Sequence, residues 1–251
     1  MKRFWLAWNF LTHIPLGPRQ EASPEEFSQA MAFFPLVGLA MAVLPAAFIL
    51  VFYPFLSAFL GSLIVVFIFT LITAGLHLDG LADTVDGCYA GRDRKEILDI
   101  MRDTHLGSMG VIALIFLIAL KVSLLNEIWV RETRLNLFKA IFLFPVLSRW
   151  SMVGTAWLSP YARQEEGVGK AFAGKVTIRE WLLSTLFILV ITFFIFKFKA
   201  LLLLLIVFLT TLLLIKYFKR RLAGVTGDVF GAINELIEVA SLGYLILFFK
   251  L

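Results

Sequence analysis

Apolar runs about as long as a bilayer core is thick recur along this chain, and they decide the fold class before any motif is read. A helix needs roughly 20 residues to cross a hydrocarbon core of about 30 Å. Stretches of that kind lie near 33–53, 55–76, 106–125, 137–158, 181–196, 200–217 and 229–249. In lipid every backbone polar group must bond internally, so spans this apolar are helices. Transmembrane strands would alternate polar and apolar residues, and nothing here alternates. The expectation is an all-α, polytopic integral membrane helical bundle of about seven transmembrane helices, with residues 1–251 forming a single membrane domain. Composition agrees, since 60% of residues are hydrophobic and 16% charged, too few charges to cover a soluble domain of this length. The stretch 181–217 cannot be one helix, because at about 1.5 Å per residue it would run to about 55 Å. Lys197-Phe198-Lys199 is its natural turn.

Met1 to Leu16 open with Lys2 and Arg3 and continue apolar, as a secretory leader would. No small-residue cleavage site follows, and Asn9, Thr12 and His13 interrupt the run. Those three share a helical face with Lys2 while Trp5, Trp8 and Leu11 fall elsewhere, which favours an N-terminal interfacial amphipathic helix.

The net charge of +5 suggests nucleic acid only until its placement is considered, for the cations flank the spans. Of the 23 Lys and Arg residues, fifteen fall at the N-terminus and in the loops 77–105, 159–180 and 216–228, five fall on the opposite side and three (Lys121, Lys139 and Arg149) lie within spans. The positive-inside rule then turns the first side to the cytoplasm of a cytoplasmic (inner) membrane, with the lipid bilayer as partner and no nucleic acid. A single cysteine, Cys88, excludes an intrachain disulfide and a multi-cysteine zinc site. No internal repeat supports an inverted-repeat transporter. A homo-oligomer is compatible with all of this and required by none of it.

The densest chemistry lies in His77-Leu78-Asp79-Gly80-Leu81-Ala82-Asp83-Thr84-Val85-Asp86-Gly87, within a cytoplasmic acidic segment 77–105. On a helix, Asp79, Asp83 and Asp86 stand at i, i+4 and i+7 and leave from one face. Aligned carboxylates repel one another unless a positive charge lies between them. Hard cations such as Mg²⁺ take oxygen ligands, typically one or two carboxylates plus the phosphates of a substrate. Gly80 and Gly87 remove side chains beside the acids and allow close approach. The plainer alternative is a solvated acidic face neutralised by Arg92, Arg94 and Lys95. Simple solvation, however, does not require three acids aligned beside two glycines, and ion pairing alone would favour Glu, the better helix former.

Further candidates follow along the chain. Glu96, Asp99 and Asp103 share a face of an amphipathic helix expected over 93–104. In Met101-Arg102-Asp103-Thr104-His105-Leu106-Gly107-Ser108-Met109-Gly110, Arg102 can hold a phosphate and Gly107 can admit one to a helix N-terminus. An ordinary capped helix start explains the same residues equally well. The loop from Tyr161 to Lys170 mixes Arg163, Glu165 and Glu166 with Gly167 and Gly169; it lacks P-loop spacing, and a plain connection is the simpler reading. Thr226-Gly227-Asp228 precedes a last span that carries Asn234, Glu235 and Glu238. Asp228, Glu235 and Glu238 fall roughly on one face, expected to close the same cavity as the aspartates, with Arg149 as a possible partner. Helix–helix hydrogen bonding is the alternative. His13, His77 and His105 do not form a metal triad by spacing, and His77 is the histidine nearest the acids.

The string from Leu76 to Gly87 resembles the signature of the cobalamin synthase (adenosylcobinamide-GDP ribazoletransferase) family. The likeness continues through Phe34-Pro35-Leu36-Val37-Gly38, Met101-Arg102-Asp103 with Gly107 and Gly110, Arg163 to Gly169, and Thr226-Gly227-Asp228 with Glu235. Two positions depart from the family's pattern: His105, where it often has Arg, and Ser108, where Thr is common. The resemblance implies a Mg²⁺-dependent transferase that joins adenosylcobinamide-GDP to α-ribazole or its 5′-phosphate and releases GMP. It implies Asp79 and Asp83 as metal ligands, Asp86 as metal ligand or general base, and Asp103 and Asp228 in the same cavity. Arg102 and Arg163 would contact phosphate, with His77 and Glu235 also toward substrate. The rival readings are a membrane phosphotransferase of CDP-alcohol type, whose Ala-Arg after the first Asp-Gly is missing here, a prenyl transferase with two separated aspartate clusters, and a cation transporter lined by Glu235 and Glu238.

Overall fold

The computed structural model describes residues 1–18, 21–163 and 168–250. Arg19 of the charge count and Gln164 to Gly167 of the glycine-bearing loop lie outside the described residues. Among the described residues the chain is helical, with one isolated bridge between Tyr161 and Val225.

α1 (Lys2–Leu11) buries Leu6, Ala7, Trp8 and Leu11. It stops at Leu11, so Thr12 and His13 lie beyond it, and the expected polar face keeps only Lys2 and Asn9. Lys2 is tied to Glu26 at 2.6 Å. A capping box between Ser23 and Glu26, with Pro24 in the first turn, starts α2 (Pro24–Ala30). α3 (Phe34–Met41) and α4 (Val43–Phe52) extend that line through short 3₁₀ turns, so the first apolar path covers 24–55. Ser57 caps α5 (Ala58–Thr73), whose end at Ala74 and Gly75 is left-handed, with φ of 49° and 71°. That turn swings α6 (Leu76–Ala90) through 91°. The second span therefore closes at Thr73 rather than 76, and α6 leaves it to lie across the ends of its neighbours.

α7 (Arg94–Ile100) is shorter than the expected 93–104 and starts where Asp93 accepts from the backbone N–H of Glu96 at 2.9 Å. Four long helices follow after a polar turn: α8 (Ser108–Arg131), α9 (Arg134–Leu158), then α10 (Ile178–Phe196) and α11 (Lys199–Leu222), parted at Lys197-Phe198 as the spacing predicts. α12 (Gly227–Lys250) ends the chain. A Thr177/Glu180 capping box begins α10 three residues before the expected 181, which gives it 19 residues and enough length to cross.

α9 and α12 form the centre, with α9 packed on α3, α10 and α11, and α12 on α6, α8 and α9. The contrast in burial is large: 83% of the most apolar stretch of α9 is buried, against 22% for α10. The outer helices turn Leu182, Leu186 and Val190 of α10 and Leu201, Leu205, Leu209 and Leu213 of α11 outward at four-residue spacing. Apolar stripes of that extent are incompatible with water and match lipid. Six helices, or seven counting the bent α5–α6 pair, are long and apolar enough to cross, and the chain is a multi-pass membrane protein.

Candidate active site

The bend after α5 lays α6 over the first turns of α12. At the crossing the backbones touch, since a Cβ on Gly80 would come within 2.7 Å of the Asp228 carbonyl and one on Gly231 within 3.0 Å of the His77 carbonyl. Only glycine allows that approach. It brings Asp79 of α6 and Asp228 of α12 onto one pocket of about 120 Å³, walled by Phe10, Phe172 and Phe230. Asp228 accepts from Arg163 Nη2 at 3.1 Å and from Thr226 Oγ1 at 3.2 Å. Asp83, one turn along α6, is half-buried. Burial, then the carboxylates of Asp79, Asp228 and Asp86, push the Asp83 carboxyl up to about 6 against the pull of Arg163. A carboxylate in that position is short of positive charge.

Asp86 shares the face but not the task. Its two oxygens accept from the backbone N–H groups of Gly107 and Gly110, each at 2.8 Å, at the start of α8. Any side chain at either glycine would collide with that carboxylate. The helix N-terminus that the sequence offers to a phosphate is thus filled by a carboxylate of the protein itself, the group its unpaired N–H donors favour. Of the three aligned aspartates, Asp79 lines the cavity, Asp83 is half-buried and feels the charges of Asp79 and Asp228, and Asp86 anchors α6 to α8.

Two other expectations are corrected. Glu235 and Glu238 do not close the aspartate cavity. Both are buried within the bundle, where Lys121 Nζ lies 2.5 Å from each and Arg149 also pairs with Glu238. Asn234 Nδ2 adds bonds of 3.3 and 3.2 Å to the two glutamates. Two cations balance two anions, as buried ionisable groups in a span require, and the observation that suggested a transport path is thereby explained. Arg149 is anticipated as a partner; Lys121, a lysine in mid-span that needs an acid, is the signal the sequence reading passes over. Asp103 is exposed and holds His105, accepting from its backbone N–H at 3.0 Å with the ring Nδ1 at 2.6 Å, and it does not line the pocket of Asp79 and Asp228. His77 lines the pocket of Asp79 and Asp228 from a buried position, and among the described residues neither of its ring nitrogens has a hydrogen-bond partner.

Arg102 and Arg163 do come together, across a groove of about 430 Å³ shared with Arg94 and Lys95. Arg94 is not a neutraliser of the aspartate face; its Nη2 donates to the Ala162 carbonyl at 2.5 Å. The aromatic wall from Phe10, Phe172 and Phe230 is equally absent from the sequence reading, because those residues meet only through the fold.

Among the described residues no three His, Cys, Asp or Glu side chains converge closely enough to hold a metal by themselves. The donor set still suits a hard cation of the Mg²⁺ type, which is bound by one or two carboxylates and completed by substrate phosphates and water. Asp79 and Asp83, with Asp228 beside them, are the carboxylates that would serve such an ion.

Residues 3–246 match the family model described as cobalamin-5-phosphate synthase. The adenosylcobinamide-GDP ribazoletransferase of Clostridium acetobutylicum is 36% identical over 255 residues, covering 99% of this chain and 98% of that protein. The proteins of the same name from Thermoanaerobacter sp. (33% identical, 96% of each chain) and Syntrophobacter fumaroxidans (36% identical, 94% of each) are similar along nearly their whole lengths. No solved structure matches.

Proposed function

The chain belongs to the cobalamin-5-phosphate synthase family, and from that premise we propose that it transfers the adenosylcobinamide phosphate group of adenosylcobinamide-GDP to α-ribazole or α-ribazole 5′-phosphate, releasing GMP, with Mg²⁺ bound. The single observation that carries this reading is the cluster of Asp79, Asp83 and Asp228 at the α6–α12 crossing, with Arg163 beside it. A hydroxyl oxygen of the ribazole attacks the corrinoid-side phosphorus, the bond from that phosphorus to the bridging oxygen breaks, and GMP leaves with the bond's electron pair. A carboxylate oxygen of the cluster takes the hydroxyl proton. Mg²⁺ held by Asp79 and Asp83 would neutralise charge on the diphosphate and on the leaving phosphate. Arg163, kept in place by Asp228, adds a guanidinium at the same edge. Asp86 keeps α6 in register with α8. The fifteen-to-five distribution of Lys and Arg supports a cytoplasmic-membrane location with this site facing the cytoplasm.

The test is direct. Protein purified in detergent is incubated with adenosylcobinamide-GDP and α-ribazole, with Mg²⁺ or with chelator, and GMP and corrinoid product are followed. Product is expected only with Mg²⁺, and Asp83→Asn is expected to lower the rate by about 10²–10³-fold. A folded sample that yields no product in detergent or in lipid would overturn the reading.

A further inference from the structure

We propose that the aromatic end of the pocket at the α6–α12 crossing receives the planar base of the ribazole acceptor, so that Phe10, Phe172 and Phe230 set which base is preferred. The inference rests on the transferase reading above and deepens it, for that reading gives the carboxylates a task and leaves the phenylalanines without one.

The wall is the first argument. Aspartates that serve a metal and a diphosphate need no hydrocarbon beside them, yet Phe10, Met152, Phe172 and Phe230 line the same pocket as Asp79 and Asp228. Apolar walls with a few convergent polar groups are the usual form of a small-molecule site. The three rings come from separate segments, namely α1, the stretch between α9 and α10, and α12. They are packed before any ligand arrives. Phe172 meets Phe10 edge-on at 5.6 Å between centroids and Phe230 at 4.9 Å, and Phe10 also packs on Phe27 at 5.3 Å and Phe34 at 5.9 Å. Rings held in this way have little freedom left to lose when a further ring joins them, and aromatic pairs gain beyond the area they bury.

Polarity then selects among the bulky groups of the two substrates. A corrin macrocycle is far too large for a pocket of about 120 Å³. Guanine carries a carbonyl, a ring-nitrogen acceptor and N–H donors around its edge, and each must be paired when buried. Among the described residues the polar side chains on this pocket are Asp79, Asp228 and the buried His77, and Asp228 already accepts from Arg163 and Thr226. Guanine's acceptors would therefore lie against carboxylates and phenyl rings. The dimethylbenzimidazole of α-ribazole has one ring-nitrogen acceptor once its sugar is attached, and the rest of its edge is hydrocarbon. It is the base that such a wall suits.

Connectivity is the third argument. The base and the attacking hydroxyl belong to one ribose. With the base against the phenylalanines, the sugar falls between the rings and the carboxylates of Asp79 and Asp228, which share the pocket.

The experiment compares α-ribazole with the α-riboside of unmethylated benzimidazole as acceptors, at saturating adenosylcobinamide-GDP and Mg²⁺, in phosphatidylcholine nanodiscs. Wild type is expected to favour α-ribazole about tenfold in kcat/KM, as burial of two methyl groups dictates. Phe10→Ala and Phe172→Leu are each expected to raise KM for α-ribazole about tenfold and to erase most of the methyl preference. Both should leave KM for adenosylcobinamide-GDP unchanged, and Phe10→Tyr, which keeps the ring, should stay near wild type. Equal use of the two acceptors by wild type, a comparison that needs no variant, would overturn the proposal. A rise in KM for adenosylcobinamide-GDP alone would give the wall to guanine. An equal fall in kcat with both acceptors, beside a lower melting point, would make the phenylalanines part of the fold only. Each of these three results overturns the base site and leaves the transferase reading intact. Absence of GMP release from wild type with either acceptor would remove the transferase reading, and this occupant with it.

Discussion

At the scale of single residues, three aspartates on one helix face divide into two kinds, and the division can be measured. Asp86 satisfies two N–H donors of α8, so Asp86→Asn turns an acceptor into a donor there and should cost about 1–3 kcal/mol of stability together with activity. Asp83→Asn should lower activity by the same factor of about 10²–10³ while leaving thermal stability equal or higher, because the carboxylate it removes is half-buried and repelled by Asp79, Asp228 and Asp86. Melting curves run beside turnover assays separate the two, and equal destabilisation by both variants would contradict the division. The pH dependence has a definite sign. Folded Asp83 titrates at about 6, above an ordinary value near 4, so between those values the folded state binds more protons than the unfolded one. Stability then falls as pH rises through that window. In chelator, the melting point of wild type should decline from about pH 4 to about pH 6 more steeply than that of Asp83→Asn, and parallel curves would refute the assignment. That Asp79, Asp83 and Asp86 leave one face of a helix was legible from spacing alone. The anchoring role of Asp86 was not, because its donors lie 21 and 24 residues further along the chain.

At the scale of elements, apolar length predicted the spans well, and polar partnership predicted them poorly. The end of α5 was misplaced because Thr73, Ala74, Gly75 and Leu76 continue an apolar run without a proline, although the left-handed pair Ala74-Gly75 stops the helix. Alanine in that region costs about 1–2 kcal/mol. Ala74→Gly should therefore raise the unfolding free energy by about 1 kcal/mol, as read from denaturant titration in detergent, and a fall would show that the bend is held differently. The ion cluster joining α8, α9 and α12 offers a larger effect. Lys121→Met leaves Glu235 and Glu238 with only Arg149 to balance them and should cost about 3–5 kcal/mol. Lys121→Arg, which keeps the charge, should cost much less. The sequence marked these groups as needing partners, but their pairing across 114 and 117 residues is a product of packing.

At the scale of the whole molecule, the site exists because the chain returns to one end of the bundle three times. α6 supplies Asp79 and Asp83, the segment after α9 supplies Arg163, and the start of α12 supplies Asp228, 65 residues from its arginine partner. No local pattern encodes that convergence, which is why the acids of α6 could be recognised singly and the basic groove could not. An alternating path through α2–α4, α5, α8, α9, α10, α11 and α12 places α1, α6, α7 and the start of α12 together, with the α8–α9 turn at the opposite end. The charge count is the ground for proposing that the first end faces the cytoplasm. Cysteine labelling tests the assignment in a Cys88→Ser background. Arg92→Cys, exposed before α7, should react with an impermeant maleimide only after the membrane is opened, whereas Glu132→Cys, between α8 and α9, should react in intact cells. The reversed pattern would place the aspartates outside the cell, away from a cytosolic supply of nucleotide-activated substrate. Labelling of both positions in intact cells would mean that the alternating path itself is wrong, and with it the argument that brings Arg163 and Asp228 to the same side as Asp79.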